Sequence, residues 1–298
     1  MSTHQIDASP FHRPGTRRRS RILAALIGLA TALIPLQAGA SVGGHPPIRA
    51  TAHRPAHVLR RLVPRGTALP AATPLTDHGG RLLPTAHLYA IWWGPAAGFP
   101  SDAVSGLTSF FNGIGNSGYL GVARQYLRGA AVSTGSVTNL ADGTRPPSQV
   151  TAATLGAEVG RLTRQKPDPL GIYFVFTSNF PTGANFCAWH DAATVGGRRI
   201  AVAYMPNTSS APGCDAGNQF GLPWSAGTRS LANVTAHELL ETITDADPNT
   251  RPAWLDAAGQ EIGDKCAWMF SAPVTLSNGS VWQLQQEWSN SKGACVQS

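Results

Sequence analysis

The chain has 298 residues, 42% hydrophobic and 13% charged, which is enough apolar material for one or two cored domains. Its formal net charge of +7 is uneven: residues 1–40 carry +4 and residues 41–81 carry +5, leaving −2 on residues 82–298. A nucleic-acid surface needs phosphate-neutralising Lys and Arg clustered on the folded domain, and this distribution argues against one.

Residues 1–40 read as an export signal. Arg17-Arg18-Arg19-Ser20-Arg21 is a basic start, Ile22 to Ile34 an apolar run too short to span a bilayer comfortably, and Ala38-Gly39-Ala40 a small-residue cleavage site. The expected mature protein is secreted or periplasmic, with no stable membrane insertion after cleavage. Residues 41–85 form a Pro- and Arg-rich linker or pro-segment. Its prolines fix φ and remove donors, so neither helix nor ladder is expected there. His45, His53, His57 and His78 lie in it as solvated linker residues.

The folded domain is expected over 86–298. His87 to Gly94 reads as a buried strand. Ser101 then caps a helix with Val104, Leu107, Phe110, Phe111 and Ile114 at helical spacing, and a short helix follows with Val122, Tyr126 and Leu127. Residues 131–148, rich in Ser, Thr, Gly and Pro, read as loop. A helix is predicted around 149–164, strands at 171–177 and 200–204, and a helix over 231–244 capped by Ser230. The last third reads as short strands, with a hairpin at Asn278-Gly279. The fold class is α/β: a single sheet domain with packing helices and a C-terminal β-hairpin region. Gly113 to Gly118 mimics a dinucleotide fingerprint but follows a helix, where that fingerprint must follow a strand.

Cys187, Cys214, Cys266 and Cys295 lack C-x-x-C spacing, which disfavours a thiolate zinc site. Of three possible pairings, the sequence-local ones, Cys187–Cys214 and Cys266–Cys295, are favoured. Disulfides fit an oxidising destination.

The chemistry-bearing run is His237-Glu238-Leu239-Leu240-Glu241. His237 and Glu241 are four apart, so they rise from one helix face about one turn apart and can chelate one ion. In the H-E-x-x-H pattern of zinc hydrolases the second ligand is His and the intervening Glu is the general base. Here Glu241 takes the second ligand place and Glu238 the base's place. A carboxylate can ligate zinc, though a His–carboxylate pair also suits other divalent ions. Further ligand candidates are His190, which Asp191 could orient, and either Asp264 or Glu261, which strand alternation would point to opposite sides. The competing expectation is that His237, Glu238 and Glu241 are surface residues or local hydrogen-bond partners, with Glu238 or Glu241 as solvated helix carboxylates that need no metal. Of the eight tryptophans most are expected in the core. Trp189 and Trp268 are the ones that could stack on a ligand, and a sugar-binding groove is the alternative use of these rings.

Six blocks occur in order: Ala90-Ile91-Trp92-Trp93-Gly94, Gly171-Ile172-Tyr173-Phe174-Val175, Cys187-Ala188-Trp189-His190, Ala236-His237-Glu238-Leu239-Leu240-Glu241, Glu261-Ile262-Gly263-Asp264-Lys265-Cys266 and Gln286-Glu287-Trp288-Ser289. As an ordered set over 87–298 they resemble the EXORDIUM, or phosphate-induced protein, family, whose plant members are extracellular and wall-associated. The resemblance implies export and makes the H-E-L-x-E helix a family feature; it supplies no reaction. Two functional expectations follow. One is a secreted zinc-type hydrolase or peptidase acting on an extracellular peptide. The other is a non-catalytic protein that binds cell-wall glycan.

Overall fold

The computed structural model describes residues 58–61 and 73–298. The export segment 1–40 and much of the Pro-rich stretch, with His45, His53 and His57, lie outside the described residues. Strands β1 (Val58–Arg60) and β2 (Thr76–Asp77) both fall inside the stretch where no ladder was expected. The reason is local: the runs between Pro55 and Pro64 and between Pro74 and Pro84 have no proline, so their donors are intact. Leu59 is fully buried there.

The elements continue as β3 (Thr85–Trp93), α1 (Ala103–Ile114), α2 (Gly118–Gly121), β4 (Ser133–Thr134), β5 (Thr138–Asp142), α3 (Ala152–Leu162), β6 (Gly171–Thr177), β7 (Phe186–Val195), β8 (Arg198–Pro206) and α4 (Ala226–Thr244). A seven-stranded sheet runs β1-β7-β8-β6-β3-β4, with β5 also paired to β3. Its β8, β6, β3, β4 and β5 strands pair in parallel, while β7 and β1 form an antiparallel edge. This confirms the α/β class.

Side-chain alternation sorts the sheet into two cores. Ala90, Trp92, Phe174, Phe176, Ala203 and Met205 face one way, in the core that includes residues of α1 and α4. Ile91, Trp93, Tyr173, Val175, Val202 and Tyr204 face the other, with Leu155 and Val159 of α3. The expected strands at 87–94, 171–177 and 200–204 are all present. The expected loop 131–148 instead contains β4 and β5. Thr138–Asp142 is largely exposed and polar, so its strand state comes from pairing with β3 rather than from its own pattern.

Helix starts differ from expectation by their caps. α1 begins after Asp102 rather than Ser101. The Asp102 carboxylate reaches across to α4, accepting from Ser225 N (2.8 Å), Ser225 Oγ (2.6 Å) and Thr228 Oγ1 (2.5 Å). Ser225, not Ser230, caps α4 by accepting from Thr228 N at 3.2 Å. Ser230 is buried within the helix, where its hydroxyl donates to the Cys214 carbonyl and hydrogen-bonds the Thr208 hydroxyl.

The C-terminal part holds β9 (Trp254–Leu255), β10 (Val274–Thr275), β11 (Val281–Trp282), β12 (Glu287–Ser289) and β13 (Ala294–Val296). β10 and β11 pair around Asn278-Gly279, as the turn signal indicated, with Gly279 at φ 81°. Both sequence-local disulfides, Cys187–Cys214 and Cys266–Cys295, are formed. Among the described residues no helix is long and apolar enough to cross a membrane.

Candidate metal centre

Helix α4 has 19 residues, and every one from Ser230 to Thr244 is buried. A helix buried on all sides is ordinarily apolar on all sides. This one carries His237, Glu238 and Glu241 at 0% exposure, so they are not solvated surface residues, while the alternative of hydrogen-bond partners stays open.

Three other segments converge on these side chains. On β7, Ala188 belongs to the α4-side core while Trp189 belongs to the opposite one. The two-residue strand period therefore turns His190 toward α4. His190 Nδ1 lies 3.1 Å from Glu238 Oε2 and 3.6 Å from Glu241 Oε2. Its Nε2 lies 3.1 Å from the Asp245 carbonyl and 3.5 Å from Glu261 Oε1. Asp191, which could orient the imidazole or pair with something else, accepts from the Ala192 backbone; the Asp245 carbonyl holds the ring.

The 261–266 segment is not a strand. It turns and then makes a single 3-10 turn, Asp264–Cys266, so strict alternation does not apply. Glu261 and Asp264 consequently both reach the cluster. Asp264 Oδ1 is 4.0 Å from His237 Nε2, and Glu241 Oε1 is 3.1 Å from the same nitrogen. Asp264 N donates to Glu241 Oε1 at 3.0 Å. The Cys266–Cys295 disulfide anchors this segment beside β12 and β13.

The third segment precedes and includes β12, and the sequence reading missed it. Gln285 Nε2 lies 2.9 Å from His237 Nδ1 and 3.0 Å from the Gly263 carbonyl. Gln285 N donates to Asn233 Oδ1. Glu287, fully buried, accepts from Tyr119 Oη at 2.7 Å. The signal was available: Gln283, Gln285 and Glu287 alternate with apolar Trp282, Leu284 and Trp288 across a buried stretch, so polar and apolar sides are both enclosed.

Five buried carboxylates (Glu238, Glu241, Asp245, Glu261, Glu287) and the partly exposed Asp264 thus gather around two buried histidines. Burying an uncompensated carboxylate costs several kcal/mol, so the cluster demands positive charge. The titration behaviour says the same. Burial raises Glu238 and Glu261 above the usual carboxylate range, and pushes Asp245 to about 6, Asp264 to about 7 and Glu287 to about 8. Burial opposes protonation of the histidines, but Glu238 and Glu241 lift His190 to about 9, and Glu241 with Glu238 lifts His237 to about 10. Without an ion the site recruits protons; a divalent cation would replace them.

Two overlapping groups have ligand atoms within 4.8 Å of one another: His190, Glu238 and Glu241, and His237, Glu241 and Asp264. The residues present therefore fit a divalent cation. Among the described residues of the cluster, Asp264 is the one whose side chain is partly exposed, at 20%. Gly263 makes room for the cluster, because a Cβ there would fall 2.5 Å from His237 Nδ1.

None of the eight tryptophans is exposed. Trp189 lies on the sheet face away from His190, and Trp224 stacks on Trp282 at 4.6 Å. Trp268 is half-buried, with its indole N–H donated to the Arg60 carbonyl. Compared with known proteins, the chain matches no family model and no curated protein.

Proposed function

We propose that this is an exported, EXORDIUM-like metalloprotein whose buried cluster holds a divalent cation of the zinc type and hydrolyses a peptide or related carbonyl substrate. The observation that carries the reading is the enclosure, with no exposure at all, of Glu238 and Glu241 on a buried helix that should be apolar together with His190 of the facing strand β7. Such a centre, when loaded, supplies Lewis acidity toward a carbonyl and an activated water. The chain's own residues supply the rest. Glu238 occupies the place of the general base in the H-E-x-x-H pattern, and its Oε1 has no hydrogen-bond partner with which to share a proton. Asp264 marks the side from which substrate and water enter. The disulfides and the export signal are consistent with an extracellular or periplasmic site of action.

The glycan-binding alternative gains no exposed aromatic platform from the tryptophans. The burial of the ligands favours one second reading, a closed structural cation, because catalytic sites keep an open position. The test separates these. The purified full chain should carry about one equivalent of zinc or a similar ion, and should cleave members of a peptide and ester panel. Chelation should abolish cleavage and zinc should restore it. Bound metal without cleavage across the panel would leave the structural cation. A metal-free, well-folded protein after reconstitution would end both readings.

A further inference from the structure

Hydrogen bonding around the two imidazoles distinguishes them. A neutral imidazole has one donor and one acceptor nitrogen, and only the acceptor can ligate. Which nitrogen that is depends on the partner of the other one.

For His190, Nε2 faces the Asp245 carbonyl at 3.1 Å. A carbonyl only accepts, so Nε2 carries the hydrogen. The Nδ1 lone pair then faces Glu238 Oε2 and Glu241 Oε2, at 3.1 and 3.6 Å. Three acceptors pointing at one another require something positive between them. The other Glu238 oxygen, Oε1, is buried without a hydrogen-bond partner.

His237 has the opposite arrangement. The Gln285 side-chain atom lying 3.0 Å from the Gly263 carbonyl must be its amide nitrogen, because the amide oxygen would be repelled there. That same nitrogen is 2.9 Å from His237 Nδ1, so Nδ1 accepts. Nε2 must then carry the hydrogen, and it sits 3.1 Å from Glu241 Oε1. The same Glu241 oxygen also accepts from Asp264 N. Asp264 N thus donates to Glu241 Oε1, and His237 Nε2 lies at ion-pair distance from the same oxygen, while Oε2 faces His190.

We infer that the ion is held by His190 Nδ1, Glu238 and Glu241, and that His237 is a positioning residue that fixes Glu241 rather than a ligand. This rests on the metal-centre reading above and moves one part of it. Glu238 becomes a ligand instead of the base, and Asp264, the carboxylate open to solvent, is left to accept a proton on the entry side. The H-E-x-x-E helix therefore does not use its first histidine as the zinc-hydrolase helix does.

The experiment is metal content of the full chain after chelation, reconstitution with zinc and desalting, for the wild type and for His190→Gln, Glu238→Gln and His237→Asn, with circular dichroism confirming the fold of each. The wild type should retain about one equivalent. His190→Gln and Glu238→Gln should lose it, and His237→Asn should keep it with affinity lowered on the order of 10–100-fold, the usual effect of removing a group that orients a ligand. Retention in His190→Gln and Glu238→Gln with loss in His237→Asn overturns the assignment but leaves the metal-centre reading standing. A metal-free wild type overturns both, and makes His190 an imidazolium paired with Glu238. Should the variants misfold, the nitrogen-15 spectrum of the wild-type imidazoles decides. The expected zinc-loaded pattern is a metal-bound Nδ1 on His190 and an unprotonated, metal-free Nδ1 on His237. An Nδ1–H on His237 overturns the assignment.

Discussion

Replacing Gly263 with alanine probes the tightest point of the centre. Gly263 has φ −80° and ψ −41°, a conformation alanine adopts freely, so the backbone imposes no penalty. The loss of unfolded-state entropy would by itself stabilise the protein by about 0.4–1 kcal/mol. The added methyl, however, would lie 2.5 Å from His237 Nδ1, 2.8 Å from His237 Cε1 and 2.9 Å from Glu241 Oε1. His237 cannot simply retreat, since it is fully buried and tied to Gln285. Overpacking of this kind costs roughly 1–3 kcal/mol, so the net expectation is destabilisation by about 1–2 kcal/mol. For a domain of this size that is about 2–8 °C in melting temperature. Zinc affinity should fall as well, because Glu241 shifts with His237. Gly121→Ala is the control: its Cβ would meet nothing nearer than 3.8 Å, at φ −57°. Urea melts and zinc titration of both variants check this. A Gly263→Ala protein as stable as Gly121→Ala, with unchanged zinc affinity, would refute the packing described around His237.

Other outcomes follow from the same contacts. Mutating both cysteines of the Cys187–Cys214 pair, which are 27 residues apart, to alanine should cost roughly 3.5 kcal/mol by loop entropy, readable by urea denaturation; a loss under 1 kcal/mol would show the linkage matters little. Ser225→Ala removes the cap of α4 and should cost about 1 kcal/mol; no change in the melt would place the helix start elsewhere. In chelated protein, Asp264 and Glu287, at about 7 and 8, and His190, at about 9, hold protons more tightly folded than unfolded. The native state then binds more protons across this range, so metal-free stability should fall as pH rises from about 5 to 9. Zinc-loaded protein should show a stabilisation over the metal-free form that grows with pH, because ligands must be deprotonated. Melts with chelator or zinc at several pH values check both trends; metal-free stability that climbs with pH would contradict the charge balance drawn for the cluster.

The sequence exposed whatever was written in local pattern. The 171–177 strand is apolar throughout and bounded by turns, so it was plain, and Asn278-Gly279 announced its hairpin. The paired cysteines were legible because spacing alone favoured local closure. β7 was harder, since Phe186–Val195 mixes His and Asp with apolar residues, and its strand state rests on partners at β1 and β8. The start of α4 was missed because Ser225 and Ser230 both offer a capping hydroxyl, and Ser225, which caps it, is held by Asp102, 123 residues away. The metal candidates His190, His237, Glu241, Glu261 and Asp264 were all named and all lie in or against the cluster. Their division into ligands and supports was invisible, because it depends on Gln285 and on the Asp245 carbonyl. Neither contact is local: each joins residues about fifty positions apart.

The most direct measurement is elemental analysis of the purified, folded full chain after zinc reconstitution and exhaustive desalting. About one equivalent of tightly held divalent cation is the predicted result. A correctly folded protein with both disulfides intact and no bound metal would contradict the account, leaving protons alone to neutralise the buried carboxylates.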